Sequence, residues 1–173
     1  MTMSYNEYVI NHIPNLITIS RIVGSLLLIP LEPLTSEFFV VYIYCGLSDV
    51  LDGFIARKAH VTSELGSKLD SVSDLMFYVI MMLELMPILK TRFPTFIWIF
   101  IYSILGIRIA MYVYFGMINK KIMSNHTVLN KITGFLVFLT PFMLLTDYIV
   151  VYAIFTCAVA LIAALYEIKV SFK

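Results

Sequence analysis

The chain has 173 residues, a formal net charge of +1, 61% hydrophobic and 13% charged residues, and a mean hydropathy of +0.93. Soluble domains are nearer half apolar and a quarter charged, so this composition describes a membrane-resident protein and excludes a polybasic nucleic-acid binder. The two cysteines, Cys45 and Cys157, both sit in apolar runs, which argues against a disulfide framework or a cysteine metal cluster and predicts two buried small hydrophobes.

In chain order, residues 1–13 (MTMSYNEYVINHI) lack a basic stretch followed by an apolar core, so no cleavable leader is expected. Residues 5–13 are read either as a short amphipathic helix on the membrane surface, with Pro14 turning the chain inward, or as an unstructured terminus. Crossing a hydrocarbon core of ~30 Å takes ~20 apolar residues. Six segments approach that requirement, near 15–31, 36–56, 69–89, 94–117, 128–146 and 148–168. They consume most of the chain and predict an all-α, polytopic membrane protein with six transmembrane helices in a single domain over residues 1–173. Trp98 and Tyr102, early in the fourth segment, are expected as interfacial anchors.

Basic residues in the connections set the orientation. Arg57, Lys58, Lys68, Lys120, Lys121, Lys169 and Lys173 fall on one side, with Lys131 just inside the fifth segment, against Lys90 and Arg92 on the other. Both termini are therefore expected in the cytoplasm, in a multi-pass protein of the cell membrane.

Between the second and third segments the chain reads D-V-L-D-G-F-I-A-R-K-A-H-V-T-S-E-L-G-S-K-L-D-S-V-S-D from Asp49 to Asp74. Asp49 and Asp52 are three apart and Asp70 and Asp74 four apart, so on two helices each pair shares a face. An uncompensated Asp costs roughly 2.5–3.5 kcal/mol at the centre of a span, and four need a reason. His12, His60 and His126 are too dispersed for a zinc site, whereas carboxylates without soft ligands suit Mg²⁺, Mn²⁺ or Ca²⁺. Mg²⁺ takes its remaining ligands from water and phosphate, which points to a phosphorylated substrate. Gly53 and Ala56 leave the helix surface open to a ligand, Arg57 adds a planar cation for phosphate oxygens, and Gly66 admits a close approach at the start of the next helix. Each glycine alone is accounted for by close helix packing; the joint pattern is not.

The run Asp49-x-x-Asp52-Gly53-x-x-Ala56-Arg57, eight residues, then Gly66-x-x-x-Asp70-x-x-x-Asp74 resembles the full signature of the CDP-alcohol phosphatidyltransferases. The resemblance implies an integral membrane enzyme that moves a phosphatidyl group from CDP-diacylglycerol to an alcohol and releases CMP. It implies Asp49, Asp52, Asp70 and Asp74 as ligands of two divalent ions, Mg²⁺ or Mn²⁺. Asp74 is also implied as general base, with Gly53, Ala56, Arg57 and Gly66 lining the cytidine and pyrophosphate pocket. It further implies a homodimer with the active site facing the cytoplasm.

The acceptor is less sharply specified. Ile13-Pro14-Asn15-Leu16-x-Thr18-x-x-Arg21, then Pro30, resembles the opening of bacterial phosphatidylglycerophosphate synthases and CMP-forming cardiolipin synthases. Leu69-Asp70-Ser71-Val72-Ser73-Asp74-Leu75 is closer to phosphatidylserine synthases. Arg108 in the fourth segment and Lys131 in the fifth, with Lys120, Lys121 and Arg57, suggest a basic pocket for a phosphorylated acceptor, first of all glycerol 3-phosphate. The competing reading has Arg108 compensating the aspartates and Lys131 reaching the interface. Arg21 is open in the same way, since it either touches ligand or neutralises an aspartate. Serine, inositol phosphate and phosphatidylglycerol are the alternative acceptors. From another class, a divalent-cation channel or transporter accounts for the aspartates, though not for the glycines and Arg57. Glu84, deep in the third segment, has no assigned role, and His126 is expected in a cytosolic loop.

Overall fold

The computed structural model describes residues 5–59, 64–119 and 127–171; the described side chains are those of residues 16–51, 66, 68–115, 117 and 127–170. Six helices follow one another: α1 Tyr5–Leu28, α2 Ser36–Ala59, α3 Glu64–Arg92, α4 Thr95–Asn119, α5 Val128–Met143 and α6 Ile149–Ser171. Among the described residues there is no strand. The chain divides into two compact units, Met1–Pro87 and Ile88–Lys173.

Three helices are long and apolar enough to cross a membrane, over Lys68–Arg92, Thr95–Phe115 and Ile149–Val170, with shorter apolar stretches at Leu16–Leu28 and Val128–Met143. Large side chains such as Phe100, Leu105, Ile109, Val151, Phe155 and Ile162 point outward along α4 and α6. Helices that are apolar all round suit lipid rather than water, and the protein is a membrane protein. One expectation fails at the N-terminus. The chain does not turn at Pro14, because α1 continues through it from Tyr5 to Leu28. A proline inside a helix forfeits one backbone hydrogen bond, and membrane helices tolerate that loss.

In the first unit α1 packs along α2. The buried face of α1 is Thr18, Arg21, Gly24, Ser25 and Leu28, at the three- and four-residue spacing of one helix face. Small residues let the backbones approach: a Cβ placed on Gly24 would lie 2.8 Å from Cys45 Sγ. Cys45 is fully buried, as its apolar run predicts, while Cys157 is partly exposed. The facing stripe of α2 is Phe38, Tyr42, Cys45 and Ser48, and α3 offers Ser73, Phe77, Ile80 and Met81. Tyr42 and Phe77 stack with ring centroids 5.4 Å apart, joining the two stripes.

In the second unit α4 and α5 both pack on α6. Tyr152 donates from its hydroxyl to the carbonyl of Leu136 at 2.5 Å, pinning α6 to α5. Thr127 caps α5, its hydroxyl accepting from the Asn130 amide at 3.2 Å, which satisfies one of the donors a helix start leaves over. Phe93, Trp98 and Tyr102 form an aromatic run at the start of α4, with centroids 6.1 and 6.0 Å apart.

Candidate active site

The site of the first unit follows from the stripes that build its core. Asp49 lies four residues beyond Cys45 on α2, and Asp70 and Asp74 precede Phe77 and Met81 on α3, so the carboxylates continue the buried faces toward one end. Oxygens of Asp49, Asp70 and Asp74 come within 4.8 Å of one another. Three such charges repel, and the compensation comes from α1.

Arg21 reaches from α1 to all three. Its Nη1 donates to Asp49 Oδ1 at 2.8 Å and also to Asp74 Oδ1, and its Nη2 donates to Asp70 Oδ1 at 3.0 Å. The guanidinium is planar, permanently charged and forked, which lets one cation bond carboxylates from two helices. Ser25 donates to the Arg21 carbonyl at 2.8 Å and ties the residue to the next turn of α1. The burial is asymmetric: the Arg21 side chain is 1% exposed, while those of Asp49, Asp70 and Asp74 are 50%, 46% and 41% exposed. The cation therefore lies beneath a ring of acids whose outer oxygens remain open to a ligand.

Among the described side chains no histidine joins the cluster, and Cys45 faces the Arg21 carbonyl. An all-oxygen donor set of this size fits a hard divalent cation. Asp52, Gly53, Ala56 and Arg57 lie on α2 in the turns after Asp49, but their side chains fall outside the described residues. Gly66 is partly buried near the start of α3. Lys120, Lys121, His60 and His126 lie outside the described residues.

Arg108 and Lys131 belong to the second unit. Arg108 donates from Nη2 to Asn130 Oδ1 at 2.8 Å, Asn130 donates from Nδ2 to Glu167 Oε2 at 3.2 Å, and Arg108 Nη1 lies 3.7 Å from the same oxygen. The polar interior that an arginine in an apolar span requires is thus built by α5 and α6. Lys131 is exposed on the first turns of α5. Glu167 is the residue that sequence reasoning passed over. Its signal, an acid near the end of an apolar segment, is shared by any solvated helix terminus.

A continuous match to the model of the CDP-alcohol phosphatidyltransferases covers residues 11–166, so the chain belongs to that family. It is similar to the CDP-diacylglycerol–glycerol-3-phosphate 3-phosphatidyltransferase of Aquifex aeolicus (strain VF5), with 35% identity over 68 residues, 38% of this chain and 38% of that protein. The matched stretch is thus well under half of that relative's length. No solved structure matches the chain.

Proposed function

We propose that this protein transfers the phosphatidyl group of CDP-diacylglycerol to glycerol 3-phosphate and releases CMP. The observation that carries the reading is the convergence of Asp49, Asp70 and Asp74, three positions of the family's signature, onto one spot. The choice of acceptor is supported by the similarity to the Aquifex aeolicus enzyme and by the opening Ile13-Pro14-Asn15-Leu16.

In this reading Asp49, Asp52, Asp70 and Asp74 would hold two divalent ions, Mg²⁺ or Mn²⁺. Such ions, when bound, neutralise charge that develops on phosphate oxygens and on the departing CMP. Gly53, Ala56 and Gly66 keep the helix surfaces open to the nucleotide, and Arg57 bonds phosphate oxygens. Asp74 accepts the proton of the acceptor hydroxyl as its oxygen bonds to the phosphorus that carries the diacylglycerol. The bond from that phosphorus to the bridging oxygen breaks, and CMP leaves with the electron pair. Arg108 and Lys131 attract the phosphate of the acceptor. The 22% exposure of the Arg108 side chain leaves it within reach of a ligand beside Glu167.

The whole chain acts as one catalytic domain of six membrane-spanning helices, with both termini and the site at the cytoplasmic face, and it pairs as a homodimer in the membrane. Loop charge supports this orientation. The test is purified protein supplied with CDP-diacylglycerol and Mn²⁺, with CMP release measured against glycerol 3-phosphate, serine, inositol phosphate and phosphatidylglycerol in turn. Release that depends on glycerol 3-phosphate bears the reading out. Release with another acceptor moves the acceptor assignment, and no release with any of them removes the enzyme reading.

A further inference from the structure

Arg21 is the one described side chain that touches all three carboxylates, and a divalent ion would draw on the same groups. Two cations cannot share three neighbouring carboxylates at full strength. Each withdraws negative charge from the other, and at a few ångströms in a partly desolvated site the repulsion between them is large. The arrangement is also one-sided, since Arg21 is enclosed by α1 and its partners while the acids face outward.

We propose that Arg21 is a built-in counter-ion of the acidic site, competing with the divalent cation: it holds the carboxylates of α2 and α3 together when no cation is bound and gives up part of that bonding when one enters. The inference rests on the cation reading of the site given above. It casts Arg21 as a positioning residue that acts through the aspartates. Four consequences follow from the geometry. Without a cation, removing Arg21 leaves three acids facing one another with nothing between them, so the protein loses stability. With a cation, the competitor has gone, so the ion binds more tightly. The stabilisation that the ion confers grows accordingly. A lysine at this position keeps the charge but not the fork, and gives an intermediate result.

The experiment measures Mn²⁺ binding by electron paramagnetic resonance, and thermal unfolding in EDTA and in Mn²⁺, for the full-length detergent-solubilised protein and for Arg21→Gln and Arg21→Lys. The expected result is a Mn²⁺ affinity about tenfold tighter in Arg21→Gln, within the range typical of coupled sites. It comes with a lower unfolding temperature in EDTA and a larger upward shift on adding Mn²⁺. A residue that only shaped the site would give weaker Mn²⁺ binding when removed, so equal or weaker affinity in Arg21→Gln overturns the proposal and leaves the cation site standing. Failure of the unaltered protein and both variants to bind Mn²⁺ overturns the cation reading and this inference with it.

Should Arg21→Gln not fold, the unaltered protein supplies the second measurement. With ¹⁵N-labelled arginine, the Nε–H resonance of Arg21, assigned through Arg21→Lys, is followed during a titration with diamagnetic Mg²⁺. A shift and faster exchange with water on Mg²⁺ binding support competition. A resonance that stays unchanged while Mg²⁺ binds overturns it.

Discussion

Arg108 on α4 and Glu167 on α6 form an ion pair, Nη1 to Oε2 at 3.7 Å, and Asn130 on α5 bonds both partners. Three helices of the second unit thus meet on one charge pair. The Glu167 side chain is 3% exposed and that of Arg108 22%. Removing one partner of such a pair costs more than the pair contributes, because the other charge stays behind.

Glu167→Gln keeps the shape and removes the charge. It is expected to destabilise the protein by about 2 kcal/mol, below the ~3–5 kcal/mol of a fully buried pair because Arg108 is partly solvated. Thermal unfolding in detergent measures this. The same change sharpens the acceptor question. If Arg108 serves the acceptor phosphate, releasing it from Glu167 lowers KM for glycerol 3-phosphate while Arg108→Ala raises it. If Arg108 is only a tie between helices, both variants lose stability and neither moves KM.

The aspartates lend themselves to a separation of roles. Asp70→Asn is expected to weaken Mn²⁺-dependent binding of CDP-diacylglycerol, since a neutral amide is a poorer ligand for a hard cation. Asp74→Asn is expected to weaken that binding too, since Asp74 is also read as a ligand, and in addition to lower CMP release at saturating CDP-diacylglycerol and Mn²⁺ by at least about a hundredfold, the usual lower bound for losing a general base. Equal CDP-diacylglycerol affinity with and without EDTA would remove the cation from the mechanism, and unchanged turnover of Asp74→Asn would remove Asp74 as base.

Much of this was legible in the sequence because spacing and hydropathy report local properties. Asp49, Asp70 and Asp74 stand at intervals that put them on helix faces, and the structure brings their oxygens within 4.8 Å. Six apolar segments became six helices. The helix ends moved for physical reasons. α3 begins at Glu64 rather than near residue 69, because its first turns are helical but polar, and hydropathy registers only the apolar part. α5 stops at Met143 although Leu144 and Leu145 prolong the apolar run, since hydropathy does not see where a helix ends. Long-range pairings were the part that spacing could not supply. Spacing leaves Arg21 open between ligand and counter-ion and does not single out Glu167 at all, because both roles depend on which helices lie side by side.

The turn between α1 and α2 holds the one positive φ among the described non-glycine residues, Leu34 at 67°. A branched side chain there crowds its own backbone at a cost of roughly 1–2 kcal/mol. Leu34→Gly removes the crowding, though glycine also loses more chain entropy on folding. The partly exposed leucine contributes little packing. The expected outcome is a gain of up to about 1 kcal/mol, read as a higher unfolding temperature with unchanged Mn²⁺ binding. A loss of stability would mean that Leu34 packing outweighs the strain.

Gly24 and Cys45 set how closely α1 approaches α2, and the approach matters because Arg21 and Asp49 lie one turn away on the same two helices. A Cβ at Gly24 would sit 2.8 Å from Cys45 Sγ, well inside van der Waals contact, and Cys45 is fully buried with little freedom to turn aside. Gly24→Ala should therefore cost about 1–3 kcal/mol, the usual penalty for overpacking. Moving α1 outward also lengthens the reach from Arg21 to Asp49, so the Arg21 contact weakens along with the helix seam. Cys45→Ala alone leaves a small void and a smaller loss of stability. In the double variant the added methyl occupies the space that the sulfur vacates, so the two losses should not add, and the double variant should be more stable than Gly24→Ala alone. Losses that simply add would show that the two residues do not share this space.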